Sequence, residues 1–493
     1  MSLVAECDLS PTPILDAVEN YAGSFVDLAA NCTIDAAELR ASRDRFAASL
    51  RKIGVHPGDR IVYCAGNGPA FVAGLAAVLS VGGSPLLVHS KTPPPELKRT
   101  ALRYGARLAI LDDCSSEDLP AALGEVVPLS DVDSLQLFAA SIDPRLPGFD
   151  ADYVALPGVP LHPTSGTTGL PKVAVRPGRA ATEEARHYIE TMGITDADAI
   201  LAVAPMCHAY AYGMCVMVPL LSGARVVSLR GFEPNLVLQA MGDGLITIFP
   251  AVPAMLDVLS LDEWDRPWKT ARCVLSAGSA LTERTANRFR ERSGLTVRPL
   301  YGTTETGGIT VAPADGTAIL GNNVGPAMRG VETQIVPDSV GSDAPPGVGR
   351  LLVRSSSMMA GYLGRGEIDT SVLVDGGFDT GDLASIDANE HIHLMGRESE
   401  VINVEGSKVI PCEVEEVIAS LPGVLEVKVY AGRRRSGGQF VKVAVVSEPH
   451  VDAASIQAHC ERNLVYYKWP ERILPIDALP RSATGKILRD QLP

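Results

Sequence analysis

Apolar residues recur along this chain in two rhythms. Short runs of strand length, Arg60-Ile-Val-Tyr-Cys64, Ala109-Ile-Leu-Asp112 and Ile246-Thr-Ile-Phe249, alternate with helix-like segments such as Ala36 to Lys52 and Thr282 to Ser293. Continuous apolar runs suit strands buried on both faces, and the longer segments between them suit helices covering those strands. The pattern predicts an α/β fold with helix-covered sheets.

Toward the C-terminus the rhythm changes. Glu413 to Ile418 reads as a helix, Val424 to Tyr430 and Phe440 to Val446 as strands, and Ile456 to Leu464 as a helix, together a small α+β unit. Gly396-Arg397-Glu398-Ser399 separates the two patterns, so a large domain is expected over 1–397 and a small one over 398–493. Two stretches without Asp, Glu, Lys or Arg, between Arg60 and Lys91 and between Asp198 and Arg225, imitate membrane spans. Pro69 and Gly82-Gly83-Ser84-Pro85 cut the first, and Pro205, His208 and Pro219 cut the second, so both read as buried helix and strand pieces.

Composition narrows the function classes. The chain has 493 residues, enough for several folding units, and 43 basic against 58 acidic residues, a formal charge of −15. That balance argues against general nucleic-acid or anionic-membrane binding and leaves only local basic patches. The nine Cys are an odd number without a CxxC pair, and the first residues lack a basic and apolar export signal. A reduced, cytoplasmic location is expected. Gly66 to Phe71 breaks the dinucleotide fingerprint at its third Gly, and no GxSxG elbow occurs. Cys207, His208 and Cys215 lack the usual zinc spacing, while His391 and His393 alternate like one face of a strand.

The strongest local signal is Thr164-Ser165-Gly166-Thr167-Thr168-Gly169-Leu170-Pro171-Lys172. Glycines, hydroxyls and a closing Lys make a loop able to wrap a polyphosphate, although it is not the GxxxxGK-Ser/Thr loop of ordinary nucleotide hydrolases. By itself it reads equally well as a surface turn. Downstream stand Tyr301-Gly302-Thr303-Thr304-Glu305, Phe378-Asp379-Thr380-Gly381-Asp382, Gly396-Arg397 and Pro480-Arg481-Ser482-Ala483-Thr484-Gly485-Lys486. Singly, each has a plain alternative as a helix charge, a turn residue or a solvated Lys.

In this order and spacing the series resembles the adenylate-forming superfamily of acyl-CoA synthetases, peptide-synthetase adenylation domains and beetle luciferases. The resemblance implies a large N-terminal domain of helix-covered sheets with a β-barrel-like subdomain, and a small mobile C-terminal domain. It further implies that Thr164 to Lys172 hold the β- and γ-phosphates of ATP, with Thr168 and Glu305 on Mg²⁺. Tyr301 would stack on adenine, Thr304 would touch the α-phosphate, and Asp382 assisted by Arg397 would take the ribose hydroxyls. Gly278, Ser279 and Gly302 would border the nucleotide, and Lys486 would reach into the cleft from the small domain.

Such chemistry needs these residue types. A carboxylate is a poor electrophile, since its leaving group would be oxide and its charge repels nucleophiles. Attack of its oxygen on the α-phosphorus of ATP gives an acyl-adenylate and pyrophosphate, but anions must meet and charge grows on the leaving oxygens. Mg²⁺ at Glu305 and the ammonium of Lys486 would neutralise it in a water-poor cleft.

Family members that take α-amino acids carry an Asp soon after the phosphate loop, whereas Ala204 to Gly213 contains no acid. Its Pro205-Met-Cys-His208 resembles the Pro-x-x-His of acyl-CoA synthetases, with the ring beside acyl pocket and thiol entrance. By position, Tyr212, Ser276, Ala277, Gly278 and Gly307 would line the acyl pocket. Small residues leave room and no cation is evident for a second carboxylate, so a hydrophobic or aromatic monoacid is expected.

The Val401 to Glu416 segment resembles the loop that swings in for thioester formation, with Gly406 lining a pantetheine passage. Coenzyme A and a separate carrier protein's phosphopantetheine both remain open as acceptor. Arg433-Arg434-Arg435 reads either as a contact for such phosphates or acids, or as a solvated turn. The chain also departs from the family pattern. Val173-Ala174 and Pro177-Gly178 replace the usual Gly-Val and Ser/Thr-His after Lys172, Ser399 replaces a hinge Asp or Lys, and Asn403 replaces a frequent Lys.

Overall fold

The computed structural model describes residues 8–113, 123–130, 135–164, 172–261, 264, 268–314, 321–337, 347–404, 407–434, 438–481 and 487–493. Two mixed sheets form the centre. In one, Cys273–Ser276, Ile248–Ala251, Ala199–Ala202, Arg225–Ser228 and Ser24–Asp27 run parallel side by side, with Val297–Thr303 joining parallel beyond Cys273–Ser276. In the other, Leu161–Thr164, Ser84–Leu87, Arg60–Cys64 and Leu108–Leu111 are parallel, and Lys172–Val175 returns antiparallel beside Leu161–Thr164.

Both charge-free stretches lie in this core. The first folds as strand Arg60–Cys64, the almost wholly buried helix Pro69–Ser80 and strand Ser84–Leu87. Among the described residues no helix is long and apolar enough to cross a membrane. The second stretch contains a π-helical turn, Gly213–Met217, between the helices Ala209–Tyr212 and Val218–Ser222. Such turns interrupt a helix by one wide ring of hydrogen bonds and are frequent at functional sites.

The predicted helices form because their ends are specified as well as their faces. Ala36–Lys52 starts where the Asp35 carboxylate accepts from the Glu38 N–H at 2.8 Å, and Glu283–Ser293 starts where the Thr282 hydroxyl accepts from the Thr285 N–H at 3.2 Å. The latter ends on Gly294 at φ 73°, a left-handed position that costs glycine little.

Where a barrel-like unit was expected, a six-stranded antiparallel sheet is built mainly from Asn323–Pro326, His391–Arg397, Gly377–Ile386, Gly349–Ser355 and Val331–Val336, in that order. Among the described residues this order is open. The C-terminal part contains helices Pro411–Ala419 and Ala453–Asn463 and strands Val424–Arg433 and Gln439–Ser447, which cover the expected segments, together with an unforeseen parallel strand Arg472–Pro475. Its own core joins Val414, Ile418, Val429, Val443 and Ile456. Ser399 lies in a single 3-10 turn, Glu398–Glu400, directly after strand His391–Arg397.

Candidate active site

The segments around Ser276 and Glu305 follow strands of the parallel sheet, at the kind of edge where open α/β sheets place ligands, whereas Asp382 and Arg397 lie on antiparallel strands. Ser276 ends its strand and leads into Ala277, Gly278 at φ +92° and Ser279. Val297–Thr303 leads into the turn 304–306, which returns as strand Gly307–Val311. That turn is held internally, because the Thr303 hydroxyl accepts from the Thr306 N–H at 3.1 Å.

Tyr301 converges with Asp382 and Arg397, which come from a different sheet. Tyr301 Oη donates to Asp382 Oδ2 at 2.5 Å, and Arg397 Nε meets Asp382 Oδ1 at 2.7 Å. Arg397 also donates to the Thr380 carbonyl at 2.9 Å, and Asp382 stands opposite Arg397 in the register of its sheet. Burial, reinforced by the neighbouring carboxylate, pushes the Tyr301 phenol well above its ordinary pKa, so it is a donor here.

Glu305 occupies the middle of the turn, between half-buried Thr304 and buried Thr306. Its carboxylate accepts from Tyr362 Oη at 2.6 Å, and its carbonyl accepts from the Met359 N–H at 2.7 Å. Lys172 Nζ lies 4.8 Å from the centroid of the Tyr362 ring, a cation–π contact that brings the end of the phosphate segment to the Glu305 turn. Tyr362, 57 residues from Glu305 in sequence, was not foreseen. Nothing local in the sequence singles it out.

Thr164 and Lys172 pair across an antiparallel hairpin, with the Thr164 hydroxyl donating to the Lys172 carbonyl at 3.3 Å. Ser165, Gly166, Thr167, Thr168 and Gly169 lie outside the described residues. So do Gly406, between the paired strands Ile402–Val404 and Ser407–Val409, and Lys486, between the bridged residues Arg481 and Ile487.

Where the acid pocket was expected, His208 is exposed, with its ring 6.0 Å from that of His89. Burial and Lys91 lower the pKa of His89. Tyr212 is fully buried and meets His162 edge-on, their ring centres 4.9 Å apart. Burial holds His162 neutral, with Arg176 and His208 adding to the effect. Tyr210, two residues earlier, also points inward. The hydroxyls of Tyr210, Tyr212, Ser276 and Ser279 are buried without a hydrogen-bond partner among the described residues.

Gly307, at φ +75°, packs on Glu184, where an added Cβ would lie 2.7 Å from the carboxyl carbon. A Cβ added at Gly302 would lie 2.9 Å from the Gly308 Cα and nearer still to the Gly307 carbonyl oxygen. Only residues without a side chain fit at these crossings. Glu184 and its ion-pair partner Arg176 were missed, although Arg176 lies in the stretch where the sequence departs from its family.

A family model described as AMP-binding enzyme matches residues 19–363, and its C-terminal domain model matches residues 413–486. The chain belongs to the AMP-binding enzyme family. It is an AMP-forming acid–thiol ligase of the acyl-CoA synthetase type. Among related AMP-binding enzymes, a feruloyl-CoA synthase of Amycolatopsis is 30% identical over 472 residues, covering 92% of both chains. An indoleacetate–CoA ligase of Aromatoleum aromaticum is 28% identical over 486 residues, again covering 92% of each. The fold is that of ATP-bound MatB from Rhodopseudomonas palustris, with a TM-score of 0.83, 24% identity and 98% of both chains covered.

Proposed function

We propose that this enzyme uses ATP to activate a compact aryl or arylalkyl monocarboxylic acid and transfers the acyl group to the thiol of coenzyme A. The observation that carries the reading is the convergence of Tyr301, Asp382 and Arg397 with the Glu305–Tyr362–Lys172 group at one strand-end edge. The names of the feruloyl and indoleacetate relatives support the substrate class. The acid side supports it too. Its buried cation, Arg176, is neutralised by Glu184 at 2.9 Å, which argues against a second carboxylate on the substrate.

In this reading the carboxylate oxygen attacks the α-phosphorus, the bond to the β-phosphate oxygen breaks, and pyrophosphate leaves. Tyr301 and Asp382 hold the nucleoside, Thr304 lies by the α-phosphate, and Thr164 to Lys172 with Thr168 surround the outer phosphates. Glu305 fits a Mg²⁺ shared with those phosphates. Among the described residues no three potential ligands cluster, and Mg²⁺ characteristically binds through one or two carboxylates plus phosphate and water. The ion supplies charge neutralisation on the phosphate oxygens. Lys486, carried by the small domain over 398–493, adds a cation at the leaving oxygens.

In the second step the coenzyme A sulfur attacks the acyl carbon, its bond to the AMP oxygen breaks, and the thiol proton is lost. His208 borders the acyl carbon and Gly406 the pantetheine arm. A cytoplasmic location suits both the nucleotide and the thiol. Acid-dependent return of labelled pyrophosphate into ATP tests the first step, and mass spectrometry of products with coenzyme A or a pantetheinylated carrier tests the second. No exchange with any aryl or arylalkyl acid, or acylation of the carrier alone, would refute the corresponding half.

A further inference from the structure

Arg176 and Glu184 form an ion pair at 2.9 Å with side-chain exposures of 0% and 1%. Removing two charges from water is expensive, and an apolar pair of similar volume is often as stable or more so. Arg176 Nε and Nη1 add to the cost, having no hydrogen-bond partner among the described residues. Arg176 lies between Val173-Ala174 and Pro177-Gly178, and Glu184 in the helix Gly178–Met192 that follows. Stability alone is a poor reason for such an arrangement.

Its connections supply a better one. Lys172, Ala174 and Arg176 alternate onto one face of the strand that leaves the phosphate hairpin, and the Arg176 N–H continues the pairing to the Pro160 carbonyl at 3.1 Å. Arg176 Nη2 donates to the Ser357 carbonyl at 3.2 Å, and Ser357 Oγ donates to the Thr306 carbonyl at 2.8 Å. Two residues on, the Met359 N–H donates to the Glu305 carbonyl, and the Ala360 N–H returns to Val175. Glu184 closes the circuit from the other side: Oε2 takes Arg176, and Oε1 accepts from the Gly308 N–H at 3.1 Å. The Glu305 turn is therefore gripped at residues 305, 306 and 308 by groups that all trace back to this pair.

We propose that Arg176 and Glu184 are positioning residues that set the Glu305 carboxylate against the Lys172 strand, and through it the Mg²⁺–phosphate geometry of adenylation. This rests on the assignment of Glu305 and Lys172 made above. Both side chains are buried, so the role assigned is positioning rather than direct catalysis. Groups that orient a metal-binding carboxylate typically change metal affinity or activity about 10–100-fold when removed.

The test is acid-dependent ATP–pyrophosphate exchange by the full chain, titrated with Mg²⁺, alongside thermal unfolding. The double variant Arg176→Met/Glu184→Leu should unfold at or above the wild-type temperature. It should nevertheless need about tenfold more Mg²⁺ for half-maximal exchange, at unchanged KM for the acid. Glu184→Gln, which keeps volume but loses charge and one acceptor, should shift the Mg²⁺ dependence less and in the same direction. It decides the matter if the double variant does not fold. Wild-type Mg²⁺ dependence in a folded variant overturns the positioning role. Glu305→Gln separates the two layers: if it alone alters the Mg²⁺ dependence, only the positioning role falls, and if it does not, the Glu305 assignment falls and takes this one with it.

Discussion

On the proposed nucleotide side of the site, both carboxylate oxygens of Asp382 are engaged by protein, Oδ2 by Tyr301 at 2.5 Å and Oδ1 by Arg397 at 2.7 Å. On the proposed acid side, the hydroxyls of Tyr210, Tyr212 and Ser276 are buried without a partner among the described residues. A group that always meets the same ligand can be fixed in advance by its neighbours, which lowers the cost of ordering it on binding. A pocket that chooses among acids instead keeps open donors, because a buried hydroxyl left unpaired by the wrong substrate is a penalty that discriminates. The contrast assigns affinity for the common substrate to one half and selectivity to the other.

Four substitutions can break or sharpen that contrast. Lys486→Ala should have the largest effect, slowing pyrophosphate exchange by about 10²–10³-fold while leaving thioester formation from supplied acyl-adenylate largely intact. Equal loss of both half-reactions, measured separately, would contradict the division of labour. Asp382→Ala leaves Tyr301 and Arg397 without their acceptor and should raise the KM for ATP about 10–100-fold, from about 1–3 kcal/mol of lost interaction, with the KM for the acid unchanged. An equal rise in both would erase the boundary between the halves.

His162→Phe should act only through pH. Burial lowers the His162 pKa well below its ordinary 6.5, so the unfolded chain binds a proton that the folded chain refuses. Stability from this residue is therefore complete above about pH 6.5 and declines as the pH falls below it. The Phe variant should show a flatter fall in melting temperature between pH 6.5 and pH 5, and an unchanged slope would discount the buried neutral imidazole. Tyr212→Phe should be smallest. It removes a hydroxyl with no protein partner, so the melting temperature should hold or rise, while the preference between hydroxylated and unsubstituted aryl acids shifts. Constant preference would remove Tyr212 from the selecting wall.

Much of the framework was legible. Helices at Ala36–Lys52 and Glu283–Ser293 announced themselves through periodicity, and the structure adds the caps Asp35 and Thr282 at their starts. The C-terminal unit was legible for the same reason, since its alternating valines pack inward on two helices. The antiparallel sheet between Asn323 and Arg397 was foreseen only as a barrel-like unit, because Gly and Asp interrupt its strands and their pairing is set by distant segments. In the site, the motifs pointed to Tyr301, Asp382 and Arg397, whose meeting depends on two sheets abutting. Tyr362 and Glu184 carried no local signature. Their significance arises from contacts across 57 and 124 residues, to Glu305 and Gly308, which composition and spacing cannot register.

The closed triangle of Tyr301, Asp382 and Arg397 also bears on sugar discrimination. If ribose binds there as proposed, its hydroxyls meet a carboxylate already fixed by two donors, and each oxygen keeps a second lone pair, so the sugar adds bonds without displacing the existing ones. A 2′-deoxynucleotide would forgo one such bond and bind more weakly, while the resting triangle stays intact whichever sugar arrives.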